Sequence, residues 1–130
     1  MSLILDTHTA IWFTLNDPQL SSTAQTAIET EPGKVYISPA SYWEIAIKIQ
    51  KRNYQLQVPF QRFWERAIAE DGGGLTLLPI GIAHADRLIT LPAFHRDPFD
   101  RMIVAQGLVE KLTLVSCDAI LDRYYIPRIW

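Results

Sequence analysis

Lys34-Val35-Tyr36-Ile37-Ser38-Pro39-Ala40-Ser41-Tyr42-Trp43-Glu44-Ile45-Ala46-Ile47-Lys48 is the stretch whose reading decides the fold. Lys34 to Ile37 is rich in β-branched and aromatic residues and reads as a strand. Ser38-Pro39 then has the chemistry of a helix start. The serine hydroxyl can accept from a free backbone N–H, and proline at the first helical position loses no bond through its missing N–H. Beyond it Tyr42, Ile45 and Ile49, with Trp43, Ala46 and Ile47, supply a broad apolar face, which predicts a helix to about Lys51. A strand that feeds straight into a helix is half of a βαβ unit.

The same alternation extends both ways from that unit. Upstream, Leu3-Ile4-Leu5 is a short apolar run, and Asp6-Thr7 opens a helical pattern through about Leu15 that Asn16-Asp17-Pro18 breaks. Ser21 or Ser22 can cap a second helix to about Glu29, and Pro32-Gly33 makes the turn into the strand. Downstream, Pro59 starts a helix over Phe60 to Glu70, closed by Asp71-Gly72-Gly73-Gly74. Leu75-Thr76-Leu77-Leu78 is strand-like and Pro79 stops it; Ile82 to Leu91 is a short helix followed by Pro92. Asp97-Pro98 repeats the cap-plus-proline signal, and its helix carries Phe99, Met102, Ile103 and Val109 near one face. Leu112-Thr113-Leu114-Val115 is the last clear strand, and Asp118 can cap a final helical turn. Strands separated by helical stretches predict an α/β fold around a parallel sheet.

Size and composition bound the answer. The 130 residues match one domain over 1–130, and a chain of this length can bury roughly two thirds of its unfolded surface. With 48% hydrophobic and 20% charged residues, disorder is excluded. Apolar runs such as Ala10 to Phe13 and Met102 to Ala105 fall far short of the ~20 residues that span a bilayer, so no membrane partner is expected. No basic segment precedes Leu3-Ile4-Leu5, so a signal peptide is not expected. The single cysteine, Cys117, excludes an internal disulfide and fits a reducing, cytoplasmic setting, where it reads as an inert buried thiol. Fourteen acids against 12 bases give net −2, which by itself argues weakly against a nucleic-acid binder.

In an open parallel sheet, ligands gather outside the carboxyl ends of the strands. The residues that follow the strands here are acidic: Asp6 after the first, Glu44 about one and a half turns into the helix after the second, and Asp118 after the last. Asp97-Pro98-Phe99-Asp100 opens the helix that leads into that last strand. Each has a plain structural explanation. Asp6, Asp97 and Asp118 suit N-caps, Asp97 and Asp100 resemble a capping box, and Lys48 stands four residues after Glu44 as an ion-pair partner. Taken together, four or five carboxylates at one edge repel one another and raise each other's pKa, a conflict that a hard divalent cation removes. An oxygen-only set suits Mg²⁺ or Mn²⁺ and phosphoryl chemistry with a metal-activated water. No GxxxxGK[ST] or GxSxG is present, so P-loop nucleotide hydrolysis and serine acyl transfer are unsupported.

Four segments in order make the chain resemble the PIN-domain family, and within it the VapC-like ribonuclease toxins of type II toxin–antitoxin pairs. They are Leu3-Ile4-Leu5-Asp6-Thr7-His8, Ser38 to Lys48, His95-Arg96-Asp97-Pro98-Phe99-Asp100-Arg101 continuing to Gln106, and Leu112 to Asp118. The resemblance implies a three-layer sandwich with a mainly parallel sheet between helices. It implies catalytic and metal-binding roles for Asp6, Glu44, Asp100 and Asp118, with Asp97 as cap, neighbour or ligand, and Thr7 and Ser38 as supporting hydroxyls. It implies Mg²⁺ or Mn²⁺, an RNA substrate cleaved at phosphodiester bonds, a cognate antitoxin and a homodimer. Some relatives carry a further acid two positions after the late-strand one, where Ile120 stands here.

His95 and Arg96 read either as phosphate or antitoxin contacts or as a solvated loop. His84 reads as structural. Trp12, Phe13 and the aromatics from Tyr42 to Trp64 read as core, or, as the resemblance implies, as candidates for an antitoxin-binding groove. Setting Asp6, Glu44, Asp100 and Asp118 apart leaves 10 acids against 12 bases, and Arg96, Arg101 and Lys48 are then expected to form a basic rim. Rival acidic-pocket folds fit less well. A phosphoacceptor receiver needs paired acids after the first strand, and a haloacid-dehalogenase-like phosphatase needs Asp-x-Asp there, against Asp6-Thr7-His8. A catalytically silent binding scaffold of the same fold stays open at this level.

Overall fold

In the computed structural model, which describes residues 2–69 and 74–130, four predicted strands are present: β1 (Leu3–Leu5), β2 (Val35–Ile37), β3 (Thr76–Leu77) and β4 (Thr113–Val115). A fifth, β5 (Arg128–Ile129), was not predicted. The helices are α1 (Thr7–Thr14), α2 (Ser22–Thr30), α3 (Pro39–Gln50), α4 (Phe60–Ile68), α5 (Ile82–Ile89) and α6 (Pro98–Glu110), with a 3-10 helix over Ala119–Tyr124. The sequence reading carried α4 to Glu70 and ended it at Asp71-Gly72-Gly73-Gly74; Glu70 to Gly73 lie outside the described residues.

All pairings are parallel and the strand order is β3-β2-β1-β4-β5. β1 lies in register with both neighbours: Leu3 faces Val35 and Thr113, Ile4 faces Tyr36 and Leu114, and Leu5 faces Ile37 and Val115. Because side chains alternate along a strand, this register sorts the core into two layers. Leu3, Leu5, Val35, Ile37 and Val115 pack on one face with Ala10 and Ile11 of α1, Ala24 and Ile28 of α2, Ile45 of α3, and Phe63, Trp64 and Ala67 of α4. Ile4 and Leu114 point to the other face, against Ile103, Val104 and Ala105 of α6 and Leu121 and Tyr124. The result is the three-layer α/β sandwich with a parallel sheet.

The caps are those the sequence announced. Ser21 accepts from Ala24 N at 3.1 Å and Ser38 from Ala40 N at 3.1 Å. His84 is buried; its Nδ1 accepts from Gly81 N at 2.9 Å and its Nε2 meets Glu110 at 2.9 Å, tying α5 to α6. The structural reading of that histidine holds. Among the described residues, no helix is long and apolar enough to cross a membrane.

The topology fixes where a ligand belongs. The steps β1 to β2 and β2 to β3 move one way across the sheet, with α1 to α4 on one face. The step from β3 to β4 runs back past β2 and β1 with α6 on the other face, as right-handed crossovers require. The direction therefore switches between β1 and β4, and the crevice beyond their carboxyl ends is the place for a site.

Candidate active site

Asp6 leaves β1 directly into α1. Its Oδ1 accepts from Thr9 N at 3.0 Å as an N-cap, while its Oδ2 accepts from the Ser116 hydroxyl just past β4. The side chain is buried, and burial pushes its pKa up against the lowering effect of the Ser116 and Thr9 hydrogen bonds. Ser116 also receives Asp118 N on its hydroxyl at 3.1 Å, so one hydroxyl joins the acids after β1 and β4. No site role was expected for Ser116. The available signal was its place between a strand end and an acid in Val115-Ser116-Cys117-Asp118.

Glu44 is only 3% exposed, and its two oxygens are both engaged. Thr7 Oγ1 donates to Oε1 at 2.8 Å and lies 3.1 Å from Ser41 Oγ, while Lys48 Nζ donates to Oε2 at 2.6 Å. Burial works against the Lys48 charge, but the Glu44 hydrogen bond and its negative charge leave the lysine pKa raised. The i,i+4 partner expected from the sequence is therefore real, and it stands in the cleft together with Glu44. Thr7 lies behind Glu44 as a supporting hydroxyl. Ser38 does not: its hydroxyl caps α3, so its role is that of a cap.

Asp97 caps α6, with Oδ1 accepting from Phe99 N at 2.8 Å and Asp100 N at 3.4 Å. Asp118 caps the 3-10 helix through Oδ1 to Ile120 N at 3.2 Å, leaving Oδ2 to receive His95 Nε2 at 2.9 Å. Asp100, in the first turn of α6, is the centre of the constellation. Its carboxyl and donor atoms of Glu44 and Asp97 all lie within 4.8 Å of one another, and so do those of Asp100, His95 and Asp118. Burial first, then the charges of Asp97, Asp6 and Glu44, push the Asp100 pKa up to about 7. A buried carboxyl with like charges around it lacks a countercharge, and a divalent cation fits that deficit.

Asp6, Glu44, Asp97, Asp100 and Asp118 line one cleft of ≈ 520 Å³, together with His8, Trp12, Lys48 and Cys117. Trp12 is held at its edge by ring contacts to His8 at 5.7 Å and Trp130 at 5.9 Å. Three expectations change. Cys117 is exposed rather than buried, because it lies two residues past the end of β4 and opens onto the cleft; partial burial and the Asp6 charge still raise its thiol pKa. Arg101 is drawn away from the rim, since Nη2 donates to Leu91 O at 3.0 Å. His95 turns inward to Asp118 instead of outward, whereas Arg96 is exposed on the same loop.

Comparison with known proteins places this geometry in a group. The PIN domain family matches residues 3–127. Ribonuclease VapC22 of Mycobacterium tuberculosis is 30% identical over 128 residues, covering 98% of this chain and 95% of that protein. Among solved structures, VapBC2 from Rickettsia felis, bound to a DNA fragment from its promoter, has a TM-score of 0.72 at 13% identity, covering 98% of this chain and 97% of that one. FitAcB from Neisseria gonorrhoeae has a TM-score of 0.64 at 16% identity, with 97% and 95% covered. At such identities the two structural likenesses speak for the fold alone.

Proposed function

This chain belongs to the PIN domain family, and on that premise we propose that it is a divalent-metal-dependent endoribonuclease of the toxin–antitoxin kind. The observation that carries this reading is the convergence of Asp6, Glu44, Asp97, Asp100 and Asp118 on one cleft at the switch point of the sheet. The ribonuclease name of a relative 30% identical over nearly the whole chain supports RNA as the substrate.

Asp6, Glu44, Asp100 and Asp118, with Asp97 beside them, are the residues that would hold Mg²⁺ or Mn²⁺, since carboxylate oxygens suit those hard ions. When bound, the cation supplies a countercharge to the acids and to the scissile phosphate and lowers the pKa of water. The chain's own residues do the orienting. Ser116 fixes Asp6, while Thr7 and Lys48 fix Glu44, so neither carboxylate has to reorganise when substrate arrives. Lys48 at the cleft wall and exposed Arg96 are the cations available to a phosphate backbone.

The resemblance to VapC-like toxins, which a relative named VapC22 at 30% identity supports, makes an antitoxin the expected partner. A second, largely apolar groove of ≈ 590 Å³, lined by Tyr42, Phe60, Trp64, Ile68 and Leu77 among others, offers that partner a helix-sized apolar surface. The same reading takes residues 1–130 as one domain, homodimeric and cytoplasmic. The test is cleavage of total RNA by the purified protein in Mg²⁺ and in Mn²⁺. Cleavage is expected to stop in EDTA and to fall to background in Asp6→Asn and Asp100→Asn. Wild-type rates in both variants would overturn the proposal.

A further inference from the structure

We infer that His95 is a positioning residue that holds Asp118, beside Asp100, through a neutral Nε2–H, and is not itself a ligand of the cation. The inference rests on the metal-dependent reading above and names one more residue that the site depends on.

His95, Asp100 and Asp118 lie close enough together to be taken for a mixed nitrogen–oxygen metal site. The other ring nitrogen argues against that. Asp97 N donates to His95 Nδ1 at 3.0 Å. A backbone amide always carries its proton, so Nδ1 must present a lone pair to it. A neutral imidazole has one N–H, which then sits on Nε2. Nε2 faces two acceptors, Asp118 Oδ2 at 2.9 Å and Asp100 Oδ2 at 3.4 Å. With a proton on Nε2, no lone pair is left there for a metal.

The ring is held in that attitude from behind. His95 N donates to Tyr124 Oη at 2.9 Å, Tyr124 Oη donates to Pro92 O at 2.8 Å, and the Phe94 ring lies against Tyr124 at 5.3 Å. The His95 side chain is 17% exposed and does not line the cleft, so it stands behind the acids rather than beside a substrate. Its effect is to orient carboxylates from α6 and from the end of β4 toward one point. The donors left at that point are oxygens, which favour Mg²⁺ and Mn²⁺ over Zn²⁺.

Two measurements on the purified full chain test this. Long-range ¹H–¹⁵N spectra of the metal-free protein are expected to show the His95 proton on Nε2; a proton on Nδ1 overturns the inference. Mn²⁺ affinity, read by calorimetry, is expected to weaken by about 10–100-fold in His95→Ala, the usual effect of removing a partner behind a metal ligand. His95→Gln, which keeps a neutral N–H donor near the Nε2 position, is expected to recover most of that loss. Tyr124→Phe removes the hydroxyl that holds the His95 backbone but leaves the imidazole N–H in place, and is expected to weaken Mn²⁺ affinity by clearly less than His95→Ala. Unchanged affinity in His95→Ala, no recovery in His95→Gln, or an equal loss in Tyr124→Phe overturns the inference alone. A wild-type protein that takes up no Mn²⁺ overturns the proposed function and this inference with it.

Discussion

Asp100 concentrates the conflict that the acidic cluster creates. Its carboxyl titrates near pH 7 because it is buried and because Asp97, Asp6 and Glu44 surround it. The native state therefore keeps a proton that the unfolded chain releases near pH 4, and ionising Asp100 costs stability as pH rises between those values. Asp100→Asn removes the cost. In EDTA at pH 8 the variant is expected to be more stable than wild type by on the order of 1–2 kcal/mol, an advantage that fades toward pH 5. Thermal unfolding followed by circular dichroism at both pH values checks this, and a variant less stable than wild type at pH 8 contradicts it. Glu44 has the opposite problem, because its burial is tolerable only through its donors. Thr7→Val leaves Oε1 without the 2.8 Å hydroxyl and is expected to cost about 1–3 kcal/mol in a urea melt. At this scale the sequence showed the acids but offered cap or site as alternatives. Asp6 and Asp118 are both at once, since each caps a helix with one oxygen while the other, held by Ser116 or His95, stays in the acid cluster. His95 was not legible, because its direction depends on Asp97 N and on Tyr124, which is 29 residues away.

Among the elements, those with strong local signals were readable: Ser38-Pro39 and Asp97-Pro98 start α3 and α6 where cap chemistry puts them. β5 was missed for a physical reason. It is two residues long and follows Pro127, a pattern that reads as loop and that only an edge position tolerates. What holds it is nonlocal: Leu114 N donates to Pro127 O at 2.8 Å and Ser116 N to Ile129 O at 3.2 Å. The close approach of α6 to the sheet was equally hidden. A Cβ at Gly107 would come within 2.5 Å of Ile126 Cδ1 and 3.5 Å of Ile4 Cγ2, so glycine there permits the contact of α6 with β1. Gly107→Val is expected to destabilise by about 1–3 kcal/mol through overpacking. Combining it with Ile126→Ala should cost less than the two changes summed, because the truncation vacates the space that the valine needs. Additive losses in urea titrations would show that the helix is not held by this contact.

At the scale of the whole molecule, the α/β class was legible because strands separated by helices leave little choice but parallel pairing. Strand order was not, since nothing in Leu112 to Val115 says that β4 returns to the free side of β1. That return creates the switch point and brings Asp118 beside Asp6, turning acids scattered over more than a hundred residues into one cleft. On the proposed reading it also makes the fold's stability answer to metal. The metal-free cleft crowds five carboxylates, so any cation held there stabilises the native state by mass action. At a Mn²⁺ concentration about 100 times Kd the gain is about 2.7 kcal/mol, a rise in Tm on the order of 10 °C for a chain of this size. The rise must depend on pH with a definite sign. Below about 7 the Asp100 carboxyl is protonated in the metal-free protein, and the cation has to displace that proton to bind. The Mn²⁺-induced shift at fixed metal concentration is therefore expected to be full at pH 8 and to shrink toward pH 6. Asp100→Asn should show only a small shift at either pH. Differential scanning calorimetry with and without Mn²⁺ at the two pH values reads this directly. A shift that is equal at pH 6 and pH 8 in the wild type would mean that the cation binds away from Asp100, and the cleft would lose its claim to the metal.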